Sequence, residues 1–189
     1  PPGTLPNALT PDGSGGFYVV SFHDPADGQA FAHMAQGQAT GSVWHWRPGQ
    51  GFAPVEAGAL VGGNGIALAP DGGTLWISAW GAGELVALDL ASGARRVMPL
   101  GFLPDNLHFA ADGALLVAGQ RAEVAAIGMC GARCPQGWVV ARVDPASGAA
   151  TPLLEGAGSD AIDYAAGVRE VAGTLWVTFR SDGRIGWFD

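Results

Sequence analysis

Short apolar runs of about five to seven residues, separated by turns rich in Gly, make up most of the chain. Many of the runs end at D-G or S-G pairs, which are typical of tight turns between antiparallel strands. Hardly any segment repeats its apolar residues at the spacing of an amphipathic helix. The pattern therefore predicts an all-β protein built from short strands.

The same order of strands and turns recurs along the chain. The repeat can be followed through residues 6–22 with 41–58, 63–100, 104–120 with 137–154, and 171–189. In each unit an apolar strand ends in a turn, a second strand rich in Leu, Trp and Val follows, and outer strands complete the unit. Four antiparallel strands in about 40–50 residues is the spacing of a propeller blade.

We predict a β-propeller domain over residues 1–189, with modules near 3–58, 59–102, 103–154 and 155–189. The last module is incomplete, because no fourth strand follows GRIGWFD. The opening PPGTLP is too short and too rich in Pro to supply that strand. We therefore expect four consecutive blades of a larger propeller, although a four-bladed ring is possible in principle.

Two inserts interrupt the repeat, at 23–41 and at 121–137, and both follow the second strand of a module. Such positions emerge at one face of a propeller, where inserted loops often cover a ligand site. Surface loops without a function are the alternative. The first insert contains AFAHMAQ, which has little Gly or Pro and favours a short helix.

Composition and charge narrow the possible functions. The net charge is −8, which argues against binding nucleic acid or an anionic membrane. All nine basic residues are Arg, so P-loop and Schiff-base chemistry, which need Lys, are excluded. No apolar run approaches the ~18 residues of a membrane span, and the first residues do not resemble a signal peptide.

The two cysteines, Cys130 and Cys134, lie close together in GMCGARCPQG. This spacing allows a local disulfide, a reduced surface pair or, least in keeping with the sequence, a metal site. A zinc site needs about four ligands, and neither a second Cys pair nor a nearby His pair is present. A disulfide favours an oxidising compartment such as the periplasm or the exterior.

The chain contains only three Asn, and each opens the first strand of a module: Asn7, Asn64 and Asn106. In a propeller the first strands line the central channel, so these amides and the carboxylate of Asp105 are expected to converge at one mouth of it. The alternative is that Asn serves as a turn residue ahead of a strand. Asn occurs nowhere else, however, although turns are abundant, which favours a converging site.

Amide and carboxylate oxygens are hard ligands that suit Ca²⁺, although another divalent cation is possible. One carboxylate with neutral amides leaves a bound dication with a charge of about +1, which helps to polarise a carbonyl but weakens binding. We therefore expect a second acidic ligand, for which this chain offers no equivalent position.

Three motifs carry a resemblance to a known family. PNAL, GNGIALAPDG and PDNLHFAADG resemble the six-bladed superfamily of gluconolactonases, regucalcin and paraoxonase-type arylesterases, and the resemblance spans essentially the whole chain. The consecutive Asp-Asn pair is similar to the paraoxonase-like branch. The resemblance implies that Asn7, Asn64, Asp105 and Asn106 are calcium ligands. It also implies that the chain corresponds to about the last four of six blades, and that the remaining acidic ligand and the main catalytic His lie in N-terminal blades absent from it.

The resemblance also bears on the roles of the four histidines and of one Gln. His23 matches a His beside the site in that branch and is a candidate for a substrate or second-layer contact, although a plain loop position is the alternative. Gln120 stands where the branch carries a His. His33 and His45 are interpreted as insert and strand-surface residues, and His108 as a core His that could also face the channel.

Trp residues within the strands are expected to pack between blades, and this applies to Trp76, Trp176 and Trp187. The leading functional hypothesis is calcium-dependent hydrolysis of a small ester or lactone. The alternative is a propeller that binds a small ligand or a protein without catalysis, including strictosidine-synthase-like relatives. The substrate itself cannot be read from the sequence, because inserts such as 23–41 determine it.

Overall fold

Fifteen strands and two short helices form the described part of the chain, which comprises residues 1, 3–131, 133–159, 162–180 and 183–189 of a computed structural model. The strands of the first two sheets are β1 Pro6–Pro11, β2 Phe17–Ser21, β3 Gly41–Arg47, β4 Gly51–Leu60, β5 Gly63–Leu68, β6 Thr74–Ala79, β7 Glu84–Asp89 and β8 Arg95–Pro99. Those of the last two are β9 Leu103–Phe109, β10 Leu115–Arg121, β11 Gly137–Val143, β12 Ala150–Gly156, β13 Ala165–Val171, β14 Thr174–Phe179 and β15 Ile185–Phe188. The helices are α1 Ala30–Ala35 and α2 Val124–Gly128.

The strands form four antiparallel sheets that follow one another along the chain. Three sheets have four strands in sequential order, and the fourth has three strands, β13 to β15, within the described residues. The first strands contact each other in succession, β1 with β5, β5 with β9 and β9 with β13. The predicted all-β propeller with an incomplete last blade is therefore confirmed.

Apolar side chains fill the spaces between successive sheets. Between the first two sheets the buried residues include Val20, Leu75 and Ile77, and between the second and third they include Leu85, Leu107 and Val117. Each fully buried side chain of this size stabilises the fold by about 1.5–3 kcal/mol. Successive side chains of a strand point to opposite faces of its sheet, so the second and third sheets each contribute to the packing on both faces.

The two inserts contain the two helices, which pack against each other above one end of the propeller. Helix α1 confirms the short helix expected in the first insert, whereas α2 was not predicted. An apolar cluster holds the helices to the sheets and includes Phe22, Met34, Trp80 and Ile127. We call these two inserts and this cluster the cap. No helix among the described residues is long and apolar enough to cross a membrane.

One sequence interpretation is wrong: His45 is a buried residue and not a surface one. Its Nε2 lies 2.8 Å from Oδ2 of Asp12, and its ring stacks on Tyr18. Contact with His45, together with the backbone N–H of Ser14, holds the pKa of Asp12 well below its usual range. The pairing was hidden because Asp12 sits in a turn 33 residues away from His45.

The packing of the three Trp residues differs with the position of the blade. Trp76 is 4% exposed and meets Phe109 of the next sheet. Trp176 and Trp187 are 43% and 66% exposed, so the expectation of inter-blade packing is wrong for them in this structure. They lie on the face of the fourth sheet that no other described sheet covers.

This difference predicts unequal costs of removing the two equivalent side chains. In the isolated chain, Trp76→Ala is expected to lower the free energy of unfolding by about 3–5 kcal/mol, because a large buried side chain leaves a cavity. Trp176→Ala should cost roughly half as much, since nearly half of its side chain already contacts water. Urea unfolding of both variants measures this, and equal losses would contradict the exposed position of Trp176.

Candidate functional site

The first strand of every sheet is irregular at its start. In the first sheet Pro6 and Ala8 pair with the adjacent residues Ser21 and Val20, which leaves Asn7 as the extra residue of a β-bulge. In the last sheet Ala166 is the extra residue in the same way. A bulge re-aims side chains and is common beside functional sites.

The second and third sheets contain the same kind of β-bulge. Asn64 and Gly65 together face Ser78, and Asp105 and Asn106 together face Ala118. The bulge follows Pro6 in β1, Gly63 in β5, Pro104 in β9 and Ala165 in β13. By this register Asp105, rather than Asn106, is the equivalent of Asn7 and Asn64. The letters agree with this, since GNGIALAPDG and PDNLHFAADG align without a gap and place Asn64 opposite Asp105.

Gly65 brings the second and third bulges into contact. A Cβ at this position would lie 2.5 Å from the carbonyl oxygen of Asp105 and 2.8 Å from Cα of Asn106. Only a residue without a side chain allows β5 to approach β9 this closely. The backbone next to Asn64 therefore lies against the backbone of the Asp-Asn pair.

Asp105 is buried, and side-chain amides bind both of its oxygens. Oδ1 accepts a hydrogen bond from Nδ2 of Asn106 at 2.9 Å, and Oδ2 accepts one from Nε2 of Gln120 at 3.1 Å. Burial raises the pKa of Asp105 to about 7, although the hydrogen bonds and the nearby Arg180 act in the opposite direction. The site thus holds a carboxylate whose charge is only partly compensated by its neighbours.

The two other predicted ligands differ in exposure. Asn64 is buried, and its Oδ1 accepts no hydrogen bond from the described residues. A buried amide oxygen without a donor costs about 1–3 kcal/mol, which indicates a missing partner. Asn7 is exposed on β1 and lies outside the hydrogen-bonded group around Asp105. The structure therefore joins Asp105 with Asn106 and places Asn64 beside them, but it does not join Asn7 to them.

The donor set at this site fits a hard cation. The candidate donors are all oxygens. They are Oδ1 of Asn64, which accepts no hydrogen bond from the described residues, the carboxylate of Asp105 through its unused lone pairs, and Oδ1 of Asn106. Among the described residues, no three His, Cys, Asp or Glu side chains come together to hold a metal. A cation here would depend on amides and a single carboxylate, as the sequence indicated.

The histidines lie at different distances from this group. His108 is half-buried and lines a cavity of about 360 Å³ together with Asn106, Arg169 and Thr178. Burial, and then the charge of Arg169, lower the pKa of His108 to about 4, so its imidazole is neutral at physiological pH. His23 lies beyond β2, where its Nδ1 is 2.7 Å from the carbonyl oxygen of Asp24 and its ring meets Phe22 of the cap. His33 of the first insert pairs with Asp27.

Three residues beside the site were not identified as functional from the sequence. Gln120 is fully buried and bonds Asp105, whereas it had been noted only as standing in place of a His. Trp80 lies at the centre of the cap and bonds Gln120. Asp163 is fully buried, and its Oδ2 accepts a hydrogen bond from the backbone of Cys134. A polar residue at the end of the apolar run LLVAG is the one sequence signal that Gln120 offered.

A disulfide joins Cys130 to Cys134 at the end of α2. Its loop packs on the cap through Cys134, which is buried. Because Asp163 holds the backbone of Cys134 and directly precedes Tyr164 and β13, the loop is tied to the strand that follows the site. The cross-link thus closes the cap on the side of the fourth sheet.

No protein-family model matches the sequence, and no curated protein matches it. Among solved structures, a gluconolactonase from Xanthomonas campestris is similar with a TM-score of 0.63 and 20% identity, over 96% of this chain and 55% of that chain. A calcium-binding protein, regucalcin from Agrobacterium tumefaciens, has a TM-score of 0.61 and 17% identity, over 93% and 53%. A nidogen/laminin complex has a TM-score of 0.70 and 13% identity, over 98% and 61%.

These similarities show a shared fold, and identities this low carry no more than that. The propeller of this chain is of the type found in gluconolactonase and regucalcin structures. The chain spans between 53% and 61% of the lengths of these three structures. What the neighbours bind or convert bears on this chain only as a proposal.

The raised pKa of Asp105 predicts a pH dependence of stability. Its pKa rises from 3.8 to about 7 on folding, so the folded protein binds this proton more tightly than the unfolded chain does. The free energy of unfolding of the cation-free protein should therefore fall as pH rises through this window, by at most about 1.4 kcal/mol per pH unit, and become level above it.

Chemical denaturation between pH 5 and pH 8 tests this dependence. Asp105→Asn should flatten the slope, because the amide does not titrate. Glu56→Gln, which removes an exposed carboxylate, serves as the matched control and should retain the slope. If Asp105→Asn and the unmodified chain respond to pH alike, the burial assigned to this carboxylate is wrong.

Proposed function

We propose that this chain forms part of a metal-dependent hydrolase of small esters or lactones, with Ca²⁺ as its cation. The observation that carries the proposal is a pair of neighbouring bulges in contact through Gly65. One bulge carries Asn64, whose buried Oδ1 accepts no hydrogen bond from the described residues, and the other carries the buried carboxylate of Asp105. Asn106 adds a third oxygen, and Asn7 stands at the equivalent bulge of the first sheet. Gluconolactonase and regucalcin structures share this fold, which agrees with the proposal.

The side chains of this site have the chemistry that a carbonyl substrate requires. A bound dication would polarise the substrate carbonyl and stabilise the negative charge that develops on its oxygen. Asp105 and the amides would hold the cation without neutralising its charge fully. The cation would therefore keep its ability to polarise the carbonyl. His23, at the edge of the cap, is proposed to contact the substrate or an outer ligand, as the sequence hypothesis had it.

The proposed catalytic set extends beyond this chain. We place the second acidic ligand and the base that activates water on further blades of the same propeller. His108 is a poor candidate for that base, because burial lowers its pKa to about 4. The Asp105-Asn106 pair is the feature by which we assign the chain to the paraoxonase-like branch.

The uncovered face of the fourth sheet supports a larger propeller. In the sequence Trp176 occupies the same place in LWVT as Trp76 does in LWIS, and Trp76 is covered by the following sheet. Val171, Ile185 and Trp187 are also exposed in the fourth sheet. We propose that a further blade packs on this face, which agrees with the greater length of the similar structures.

A second candidate function is binding without catalysis. The structural similarity to a nidogen/laminin complex favours it, because the same fold occurs there in a protein–protein complex. A strictosidine-synthase-like propeller without this cation site belongs to the same alternative. The disulfide and the absence of free cysteines among the described residues suit a location outside the cytoplasm under either function.

Removing the cation or its ligands from the full-length protein tests the proposed hydrolase. Turnover of an ester and lactone panel should be lost with EGTA and restored by Ca²⁺. Asn64→Ala should raise the Ca²⁺ concentration for half-maximal rate about 10–100-fold, the range known for lost partners of metal sites. Asn64→Asp keeps an oxygen at this position, so excess Ca²⁺ should restore its activity.

Rates that do not respond to EGTA or to Asn64→Ala would refute the metal mechanism. Tight Ca²⁺ binding with no turnover of any panel member would favour the binding protein instead.

The proposed further blade predicts a change in the role of Trp176. In the full-length protein, Trp176→Ala should lower the free energy of unfolding by about 3–5 kcal/mol, as for a covered Trp. The measurement is urea unfolding of Trp176→Ala beside Trp76→Ala at two protein concentrations. A cost that rises with protein concentration would show that a second copy covers the face, and a cost as small as in the isolated chain would show that nothing does.

A further inference from the structure

A chain of hydrogen bonds connects the cap to the carboxylate of the site. Nε1 of Trp80 donates to Oε1 of Gln120 at 2.6 Å, and Nε2 of Gln120 donates to Oδ2 of Asp105 at 3.1 Å. The same Nε2 donates to the carbonyl oxygen of Ala165 at 2.8 Å. Trp80 and Gln120 are both fully buried, so water does not compete for these groups.

The partners of Gln120 allow only one orientation of its amide. An indole N–H can only donate, so the Gln120 oxygen must face Trp80. A backbone carbonyl can only accept, so both hydrogens of the Gln120 nitrogen are used, one on Ala165 and one on Asp105. Reversing the amide would bring its NH₂ against the Trp80 N–H and its oxygen against two acceptors. The hydrogen bond to Asp105 therefore follows from the positions of Trp80 and Ala165.

Asn106 fixes the other carboxylate oxygen by the same logic. Its Nδ2 donates to the carbonyl oxygen of Ala166 at 2.8 Å and to Oδ1 of Asp105 at 2.9 Å. Because that carbonyl only accepts, the amide of Asn106 cannot reverse, and its oxygen takes part in neither of these bonds. Two adjacent residues of β13 thus orient two amides, and each amide donates one hydrogen bond to the carboxylate.

We infer that Gln120 and Trp80 are positioning residues that hold Asp105 in the orientation needed to bind the cation. This inference rests on the proposed function. With a donor on each oxygen, the carboxylate cannot rotate without losing a hydrogen bond, and its remaining lone pairs are left for a cation. The resembling branch carries a His at the position of Gln120. In this chain the amide of Gln120 performs the positioning role there.

The inference also connects the cap to the site. Trp80 packs edge-on against Phe22 and Phe31, which belong to the segment entering the first insert and to its helix. The position of the Trp80 N–H, and with it the Gln120 amide, depends on this aromatic packing. The inserts that would select the substrate and the carboxylate that would bind the cation are therefore parts of one packed unit.

Terbium binding to the full-length protein tests the inference without measuring activity. Tb³⁺ replaces Ca²⁺, titration of its luminescence gives affinity, and its lifetimes in H₂O and D₂O count the waters on the ion. Gln120→Leu keeps the size of the side chain but removes its polar atoms. Trp80→Phe removes only the N–H that orients Gln120. Trp138→Phe is the matched control, because this buried Trp of the adjacent strand β11 donates no hydrogen bond among the described residues.

We expect Gln120→Leu to weaken Tb³⁺ binding by about tenfold or more and to add about one water to the ion, as Asp105 leaves it. Trp80→Phe should shift both quantities in the same direction and by less, and Trp138→Phe should shift neither. If Asp105→Asn weakens binding but Gln120→Leu and Trp80→Phe match the unmodified protein, the positioning role is refuted. If Asp105→Asn also has no effect, the proposed cation site itself is refuted.

Discussion

The buried carboxylate of Asp105 is the group around which the side chains beneath the cap are arranged. Removing a charge from water is costly, and here burial outweighs two hydrogen bonds and the nearby Arg180, which leaves the pKa of Asp105 near 7. The oxygen of Asn64, which is also buried and accepts no hydrogen bond within the described part of the chain, adds to the same excess of negative potential. Hydrogen-bonded side chains, close strand packing and the cap all surround this one group. A hard cation is the ligand that would compensate all of these oxygens at once.

The backbone makes this arrangement possible before any side chain contributes. Regular strands would alternate their side chains and direct adjacent residues to opposite faces. The four bulges break that alternation at the same place in each first strand, so that Asn64 and Asp105 are re-aimed in register. Gly65 then removes the Cβ that would hold the two strands apart. In the fourth sheet the same bulge presents Ala166, whose side chain offers no ligand but whose carbonyl orients Asn106. One repeated irregularity thus carries the candidate ligands in three blades and a supporting carbonyl in the fourth.

The sequence predicted the architecture because repetition exposes it: each unit repeats its strands and turns, and propeller packing is local between neighbours. It also indicated Asn64, Asp105 and Asn106, since Asn is scarce and occurs only at the starts of modules. The motifs GNGIALAPDG and PDNLHFAADG also align without a gap, which places Asn64 opposite Asp105 as the strand pairing does. The buried pair of Asp12 and His45 was missed, however, because the two residues stand 33 positions apart and only the folded strands bring them together. In the sequence Gln120 stands out only because it differs from a family pattern, whereas its role depends on the indole of Trp80, 40 residues away.

The cap shows how variable segments can be joined to a fixed site without disturbing it. Its two helices come from inserts in different blades and contact each other rather than only the sheets beneath. The disulfide of Cys130 with Cys134 and the bond from Cys134 to Asp163 fix the second insert to the start of β13. That start also supplies the carbonyls that orient Gln120 and Asn106. Since loops of this kind vary more readily than strands, selectivity can change in the inserts. Trp80, Gln120 and β13 meanwhile retain the geometry of Asp105.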